Sequence, residues 1–262
     1  MMCEYYDVTP EEAIEMSTRK DGRKPSLPGS KTCEPVSEMT WEEIWDSKPR
    51  DTIEQKFEFY KDIGSWQSFR QCNYRKDFNY GSLYKRFCTN ESHVLEYGCG
   101  IAPMADFLAN QIGDKHKLTF TLTEVPSEHY EFAKWRLGKK SPKTDFNFIE
   151  ITPENLVPDF GDEKFDFVCL MDVLEHLPNP YDVVENIYNH MNMGGYMLET
   201  WVHHPHGARA SDLQEAEDQR PKTMNFLNAN LQVISELSPT MRMRQKVVAP
   251  RNIKDKKYFI NF

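Results

Sequence analysis

Much that would narrow the function of this chain is missing from it. No apolar run approaches the ~18 residues of a membrane span. The opening residues, Met1 to Asp7, lack the basic and apolar regions of a signal peptide. The six cysteines stand apart, at 3, 33, 72, 88, 99 and 169. None forms C-x-x-C, and no Cys/His group has zinc-finger spacing, so free thiols in a reducing cytoplasm are expected. Basic residues are outnumbered, 32 against 41, for a formal charge of -9. That field repels a large polyanion and sets nucleic acid aside as a partner. The basic tail from Arg251 to Lys257 reads as a solvated end. There is no internal repeat and no low-complexity tract.

What is present is an ordinary globular composition, 39% hydrophobic and 28% charged over 262 residues. Residues 1 to about 38 are polar and broken, apart from a helix start at Thr9-Pro10. Thr40-Trp41-Glu42-Glu43 has a capping-box pattern. From Thr52 to about Asn73, Ile53, Phe57, Phe59, Tyr60, Ile63, Trp66 and Phe69 recur at helical spacing. Tyr80 to Phe87 reads as one more helix. Residues 1–90 are therefore expected to form a polar segment followed by helices. From His93 onward, β-rich runs (93–97, 118–124, 146–151, 165–171, 196–202) alternate with helical ones (103–112, 127–137, 180–191). A helix after Ser211 and strands at 231–237 and 242–248 close the chain. Alternation of this kind predicts an α/β, Rossmann-like, doubly wound domain over 91–262, with a mainly parallel seven-stranded sheet.

The first strand runs into Gly98-Cys99-Gly100-Ile101-Ala102-Pro103. Glycines let backbone approach a ligand, and the following helix aims its N–H groups there. The dinucleotide pattern G-x-G-x-x-G needs a third glycine at 103, where this chain has proline. Glu96 would repel a pyrophosphate but suits a cationic amino group. The second strand ends on Glu124, 24 residues past Gly100, where a carboxylate can accept both hydroxyls of a ribose.

With these residues in place, 93–200 resembles a class I S-adenosylmethionine-dependent methyltransferase, of the subgroup with the ubiquinone and menaquinone biosynthesis enzymes. The acid-x-G-x-G-x-G motif appears as Glu96 to Ala102, with alanine for the last glycine. Phe165-Asp166 to Leu174-Glu175-His176 matches the family's fourth-strand pattern. The resemblance implies a cofactor, S-adenosylmethionine (product S-adenosylhomocysteine), held by Glu96, Tyr97, Gly98, Cys99, Gly100, Glu124, Val125, Thr152, Pro153, Asp172 and Val173. Glu96 would meet the methionine ammonium, Glu124 the ribose, and Val125 the adenine. Thr152 stands where an Asp usually meets the adenine amine. The resemblance also implies that the helices of residues 1–90 fold over the cofactor as a lid, from which Arg70 or Arg75 would pair with the methionine carboxylate.

Two chemistries are open at the fourth strand. His176, next to Asp172, could take a proton from an acceptor hydroxyl. Alternatively Asp172, Glu175 and His176 could hold a divalent metal, although many family members carry the same residues without one. Tyr60, Trp66 and Arg75 from the lid, and His203, His204 and His206 past the fifth strand, are candidate acceptor contacts. The expected activity is methyl transfer to a hydroxyl or amine of a small molecule. The alternatives are a metal-dependent methyltransferase of RNA 3′ ends, and a non-catalytic cofactor-binding or interaction protein of the same fold. No N-P-P-Y or D-P-P-Y tetrapeptide follows the fourth strand, which argues against adenine-N6 and glutamine methylation.

Overall fold

The computed structural model describes residues 1–18, 47–61, 68–69, 71–72, 87–201 and 212–248. Seven strands form one sheet: β1 His93–Tyr97, β2 Thr119–Glu124, β3 Asp145–Glu150, β4 Phe165–Leu170, β5 Met191–Thr200, β6 Leu231–Ser238 and β7 Met241–Lys246. Their order is β3-β2-β1-β4-β5-β7-β6. Pairing is parallel from β3 through β5, and β7 runs antiparallel to both β5 and β6. The strand order reverses between β1 and β4, so a crevice opens above their carboxyl ends, where ligands of open α/β sheets bind.

The strands are continuous in apolar residues because both faces are covered. Val94, Phe120, Leu122, Phe167 and Leu198 pack on one side with Met104, Leu108, Tyr130, Ala133 and Leu137. Leu95, Val168, Leu170 and Met197 pack on the other with Phe57, Phe59, Val183, Ile187 and Leu227. Neighbours in a strand go to opposite layers, as a period of two requires. The covering helices are α1 Met2–Tyr6, α2 Pro10–Thr18, α3 Ile53–Lys61, α4 Pro103–Leu108, α5 Glu128–Lys140, α6 Pro180–His190 and α7 Gln214–Asn230.

Local chemistry sets their starts. Thr9 and Glu12 exchange side chain-to-backbone bonds at 2.8 and 3.2 Å ahead of α2, a capping box. Thr52 and Gln55 do the same ahead of α3. Ser127 caps α5 by accepting the Tyr130 N–H at 3.4 Å.

Two elements differ from the sequence reading. The helix expected over 103–112 is α-helical only to Leu108 and continues as a π turn over Ala109–Gly113. The fifth strand begins earlier than expected, at Met191, and its register on β4 jumps so that Phe165 faces Met191 and Phe167 faces Tyr196. Gly194 takes up this slack at φ +86, a conformation glycine adopts at no steric cost.

The opening segment also contributes to packing. Tyr6 and Val8 are buried with Phe69, Ile101 and Phe132, and Tyr5 and Trp135 pack against them. A single helical turn is too short to show periodicity, which is why these residues read as polar and broken. The packing places the N-terminal segment directly over Ile101, in the glycine turn after β1. The helices expected near Thr40 and over Tyr80 to Phe87 lie outside the described residues, apart from Phe87, which is helical.

Candidate active site

The turn after β1 is built on left-handed backbone. Gly98, Gly100 and Ala102 have φ of 66, 55 and 52°. A Cβ on Gly98 would lie 2.6 Å from Val173 Cγ2, and one on Gly100 would lie 2.5 Å from Gln71 Oε1. The turn is thus a cradle that a side chain would fill. Ala102, standing where the family motif has glycine, keeps the left-handed backbone that glycine would adopt without strain.

Four consecutive N–H groups of the turn, from Cys99 to Ala102, have defined partners, the last being the Cys99 carbonyl at 2.7 Å. Cys99 donates its N–H to the Thr123 carbonyl at 3.0 Å, tying the turn to β2. Gly100 donates to Glu124 Oε2 at 2.6 Å, and Val125 donates to Glu124 Oε1 at 2.8 Å. Ile101 donates to Gln71 Oε1 at 3.3 Å. Arg136, itself buried, donates through Nη2 to the carbonyls of Ile101 and Ala102. Its guanidinium also lies 5.3 Å from the Phe132 ring centroid.

Glu96, buried on β1, accepts the backbone N–H groups of Met104 and Ala105 at 3.4 and 3.0 Å. These N–H groups have no partner within the helix, and a carboxylate at a helix N-terminus is favoured by its dipole. Glu96 therefore completes the start of α4, which has no side-chain cap of its own.

Glu124 ends β2 at the mouth of the crevice. Burial pushes its carboxyl above the ordinary range; the N–H groups of Gly100 and Val125, and then the charge of His176, oppose that rise. Beyond β3, Thr152 and Asn155 form an isolated bridge, and the Ile151 N–H reaches the Glu124 carbonyl at 2.9 Å. Thr152 and Pro153 thus lie beside the end of β2, where the sequence reading put the adenine. Tyr97 is buried, and its hydroxyl donates to the Leu156 carbonyl at 3.4 Å.

On the other side of the crevice, Asp172 follows β4 with φ 55°. Its N–H donates to Thr200 Oγ1 at 2.6 Å, and the Thr200 hydroxyl donates to Asp172 Oδ1 at 3.0 Å. The end of β5 that carries Thr200 is fixed by Arg244, whose Nε lies 3.1 Å from Glu199 Oε1 in a fully buried pair. A 3₁₀ turn, Leu174–His176, comes next. The Leu213 N–H donates to the Glu175 carbonyl at 2.9 Å, docking the start of α7 on this turn. That contact brings Asp212 Oδ1 to 3.8 Å from His176 Nδ1.

Tyr60 of α3 lies with its ring centroid 6.3 Å from that of His176. Burial raises its phenol above the ordinary range, and the charges of Asp212, Glu175 and Glu124 add to the effect. The phenol therefore stays protonated. Tyr60 and His176 thus lie among the carboxylates of Glu124, Glu175 and Asp212.

The structure thus brings together Tyr60, Glu96, Gly98, Gly100, Glu124, Asp172, Val173 and His176. Trp66, Arg70, Arg75, His203, His204 and His206 lie outside the described residues. Among the described residues, no group of three His, Cys, Asp or Glu side chains is arranged to hold a metal ion, so Asp172, Glu175 and His176 do not form such a group by themselves. Three residues of the site escaped the sequence reading. Gln71 lies on a helical stretch with no motif, Arg136 is one of several cations on α5, and Asp212 belongs to no motif. Only the folded chain places them.

A family model described as a methyltransferase domain matches residues 66–237. A curated relative, the highly reducing polyketide synthase Preu5 of Preussia isomera, is 25% identical over 118 residues, 43% of this chain and 5% of that protein. The mitochondrial ubiquinone biosynthesis O-methyltransferase of Dictyostelium discoideum is 24% identical over 107 residues, 39% of this chain and 33% of that one. The matched region thus spans a third or less of these relatives. Among solved structures, an O-methyltransferase family protein from Burkholderia thailandensis superposes with a TM-score of 0.53 at 14% identity, covering 75% of this chain and 63% of that one. That likeness concerns the fold. With the family model covering more than half of the chain, and with this strand order and glycine turn, the protein belongs to the class I S-adenosylmethionine-dependent methyltransferases.

Proposed function

We propose that the protein transfers the methyl group of S-adenosylmethionine to a hydroxyl or amine of a small molecule, in the cytoplasm. Residues 91–262 form the catalytic domain in this reading, and residues 1–90 form a lid over it. The observation that carries it is the juxtaposition of Glu124 with the Gly98–Gly100 cradle across 2.6 Å. A cradle that any Cβ would fill, next to a half-buried carboxylate at the end of β2, fits a nucleoside with an amino-acid arm.

When bound, the cofactor supplies an electrophilic methyl on a sulfonium. The chain's own residues have to bind, orient and exclude water. Glu124 accepts the ribose hydroxyls, and the glycine turn bounds the amino-acid arm. Glu96 holds α4 in place and offers negative charge toward an ammonium. Val125, Thr152 and Pro153 border the adenine. Tyr97 and Cys99 fix the turn from below, and Val173 closes over Gly98. Asp172, pinned by Thr200, would border the transferable methyl.

His176 is the acceptor-side base. In this reading Asp212 faces Nδ1, and the imidazole receives a proton from a hydroxyl or ammonium. Tyr60 covers it from the lid and keeps its own proton. Trp66 and Arg75, with His203, His204 and His206 past β5 in the sequence, complete the acceptor contacts in this reading. The carboxylates around His176 and the charge of -9 favour a small neutral or cationic acceptor over RNA. Among the described residues, no helix is long and apolar enough to cross a membrane, and Cys3, Cys72, Cys88, Cys99 and Cys169 are free thiols, which suits a reducing compartment.

Calorimetry tests the cofactor half of this reading. S-adenosylmethionine should bind with a micromolar Kd, and absence of binding at high micromolar cofactor would overturn it. Transfer of labelled methyl across hydroxylated and amine metabolites tests the other half. Labelling of RNA ends but of no metabolite would reverse the choice of acceptor.

A further inference from the structure

Gln71 is a polar side chain laid on the cofactor turn with half of its carboxamide unused. Its Oε1 accepts the Ile101 N–H at 3.3 Å. A Cβ on Gly100 would fall 2.5 Å from that oxygen and 3.0 Å from Nε2, so the amide group lies against the bare Cα of Gly100. A backbone N–H can be met only by the oxygen, which fixes the orientation of the amide. Its NH₂ therefore presents donors over Gly100, and they donate to nothing among the described residues.

The position is well held. Phe69, two residues earlier, is buried with Ile101, Tyr6 and Phe132. Ser68 Oγ accepts the Tyr6 hydroxyl at 2.8 Å, and Cys72 Sγ lies 3.6 Å from Met2 Sδ. The opposite face of the turn is held by Arg136. Consecutive N–H groups of the turn are thus shared between Glu124, at Gly100, and Gln71, at Ile101. Glu124 is an acceptor suited to hydroxyls. Gln71 adds donors suited to an anionic oxygen.

From this geometry we infer that Gln71 binds the carboxylate of the cofactor's amino-acid arm, and so makes the N-terminal region part of the cofactor site. The inference rests on the proposed cofactor. It gives the segment Met2 to Val8, packed with Phe69 and Ile101 beside Gln71, a part in supporting the site. A neutral amide donor contributes less than an arginine would, but it is held in place by its bond to Ile101 and loses little freedom on binding.

The test compares two ligands that differ in the arm: S-adenosylhomocysteine, which carries the carboxylate, and 5′-methylthioadenosine, which lacks it. Binding of each is measured by calorimetry to the full chain and to Gln71→Met and Gln71→Glu, with thermal melts as a folding control. Gln71→Met should weaken S-adenosylhomocysteine by about tenfold or more, the loss expected for a hydrogen bond to a charged group. It should leave methylthioadenosine within about twofold. Gln71→Glu should weaken S-adenosylhomocysteine further, because it sets one carboxylate against another. Equal loss for the two ligands, or no loss for either, overturns the inference while leaving the proposed cofactor intact. Failure of the wild-type chain to bind either ligand overturns both.

Discussion

Glu124 Oε2 lies 2.6 Å from the Gly100 backbone nitrogen, while Oε1 takes the N–H of Val125. One carboxylate thereby fixes the end of β2 against the turn that follows β1. The same oxygens have lone pairs left for two hydroxyls. Glu124→Ala should weaken cofactor binding by at least about tenfold, a loss of ~1.4 kcal/mol or more. Glu124→Gln, which keeps one carbonyl acceptor, should fall between.

The pH dependence has a definite sign. Burial holds the Glu124 carboxyl above the usual carboxylate range, and only the ionised form can accept from both hydroxyls. Cofactor affinity should fall as pH drops through that raised value, at milder acidity than the ~4.3 of a free glutamate. For folding the sign is reversed. A raised carboxyl favours the native chain below ~4.3, and that contribution is lost as pH rises through the native value. Affinity in Glu124→Gln should lack this limb. Calorimetric titrations from neutral pH into mild acid would show it.

The two glycines of the cradle should respond differently to alanine. At Gly98 the new Cβ meets Val173 at 2.6 Å, and Val173 is buried and stiff at its branch. Left-handed backbone adds ~1–2 kcal/mol, and the overlap adds ~1–3 kcal/mol. At Gly100 the obstacle is the far end of the Gln71 side chain, whose displacement costs its one bond to the Ile101 N–H and no backbone shift. Urea denaturation should therefore show Gly98→Ala as the more damaging variant. Val173→Ala should relieve part of its cost in a double-mutant cycle and leave the conformational part. Ala102→Gly removes the strain of φ 52° and should cost little or be stabilising.

His129 is buried at the start of α5. Its Nε2 lies 3.1 Å from Ser127 Oγ, and its Nδ1 has no hydrogen-bond partner. Burial pushes its pKa down to about 4. The unfolded chain takes up a proton there near ~6.5 and the native chain does not, so the unfolded state gains as pH falls between those values. The full shift corresponds to ~3 kcal/mol lost by pH 4. His129→Gln should remove that component, flattening the urea midpoint between pH 7 and 4 relative to wild type. An unchanged slope would count against this histidine as the source.

The fold was legible because parallel strands buried on both faces leave apolar runs at even intervals, and their order follows from short connections. Glu96, Gly98, Gly100 and Glu124 were legible because their spacing couples two strand ends. The role of Glu96 as the cap of α4 was not, since it depends on the helix folding back over the strand. Gln71, Arg136 and Asp212 were invisible for a similar reason. Each is an ordinary polar residue whose partner lies far along the chain, 30, 34 and 36 residues away for Ile101, Ala102 and His176. The β5 register jump was hidden because Met191 to Gly195 carries no alternating pattern.

Asp212 is argued to act through His176 and not on the acceptor itself. The imidazole is 27% exposed at the side chain and Asp212 only 6%, so the carboxylate is shielded while the ring can reach the pocket. His176→Asn should reduce methyl transfer to a hydroxyl by about 10²-fold or more, the scale of a lost general base. The Kd for S-adenosylhomocysteine should change little. Asp212→Asn should give a smaller loss of the same kind. A merely structural role would not produce one further effect: an anion beside an imidazole favours its protonated form, so removing it should move the protonation midpoint of His176 to lower pH. Histidine resonances followed by NMR against pH, in wild type and Asp212→Asn, would show this without knowledge of the acceptor. Identical midpoints would assign Asp212 to the docking of α7 and leave His176 to work without it.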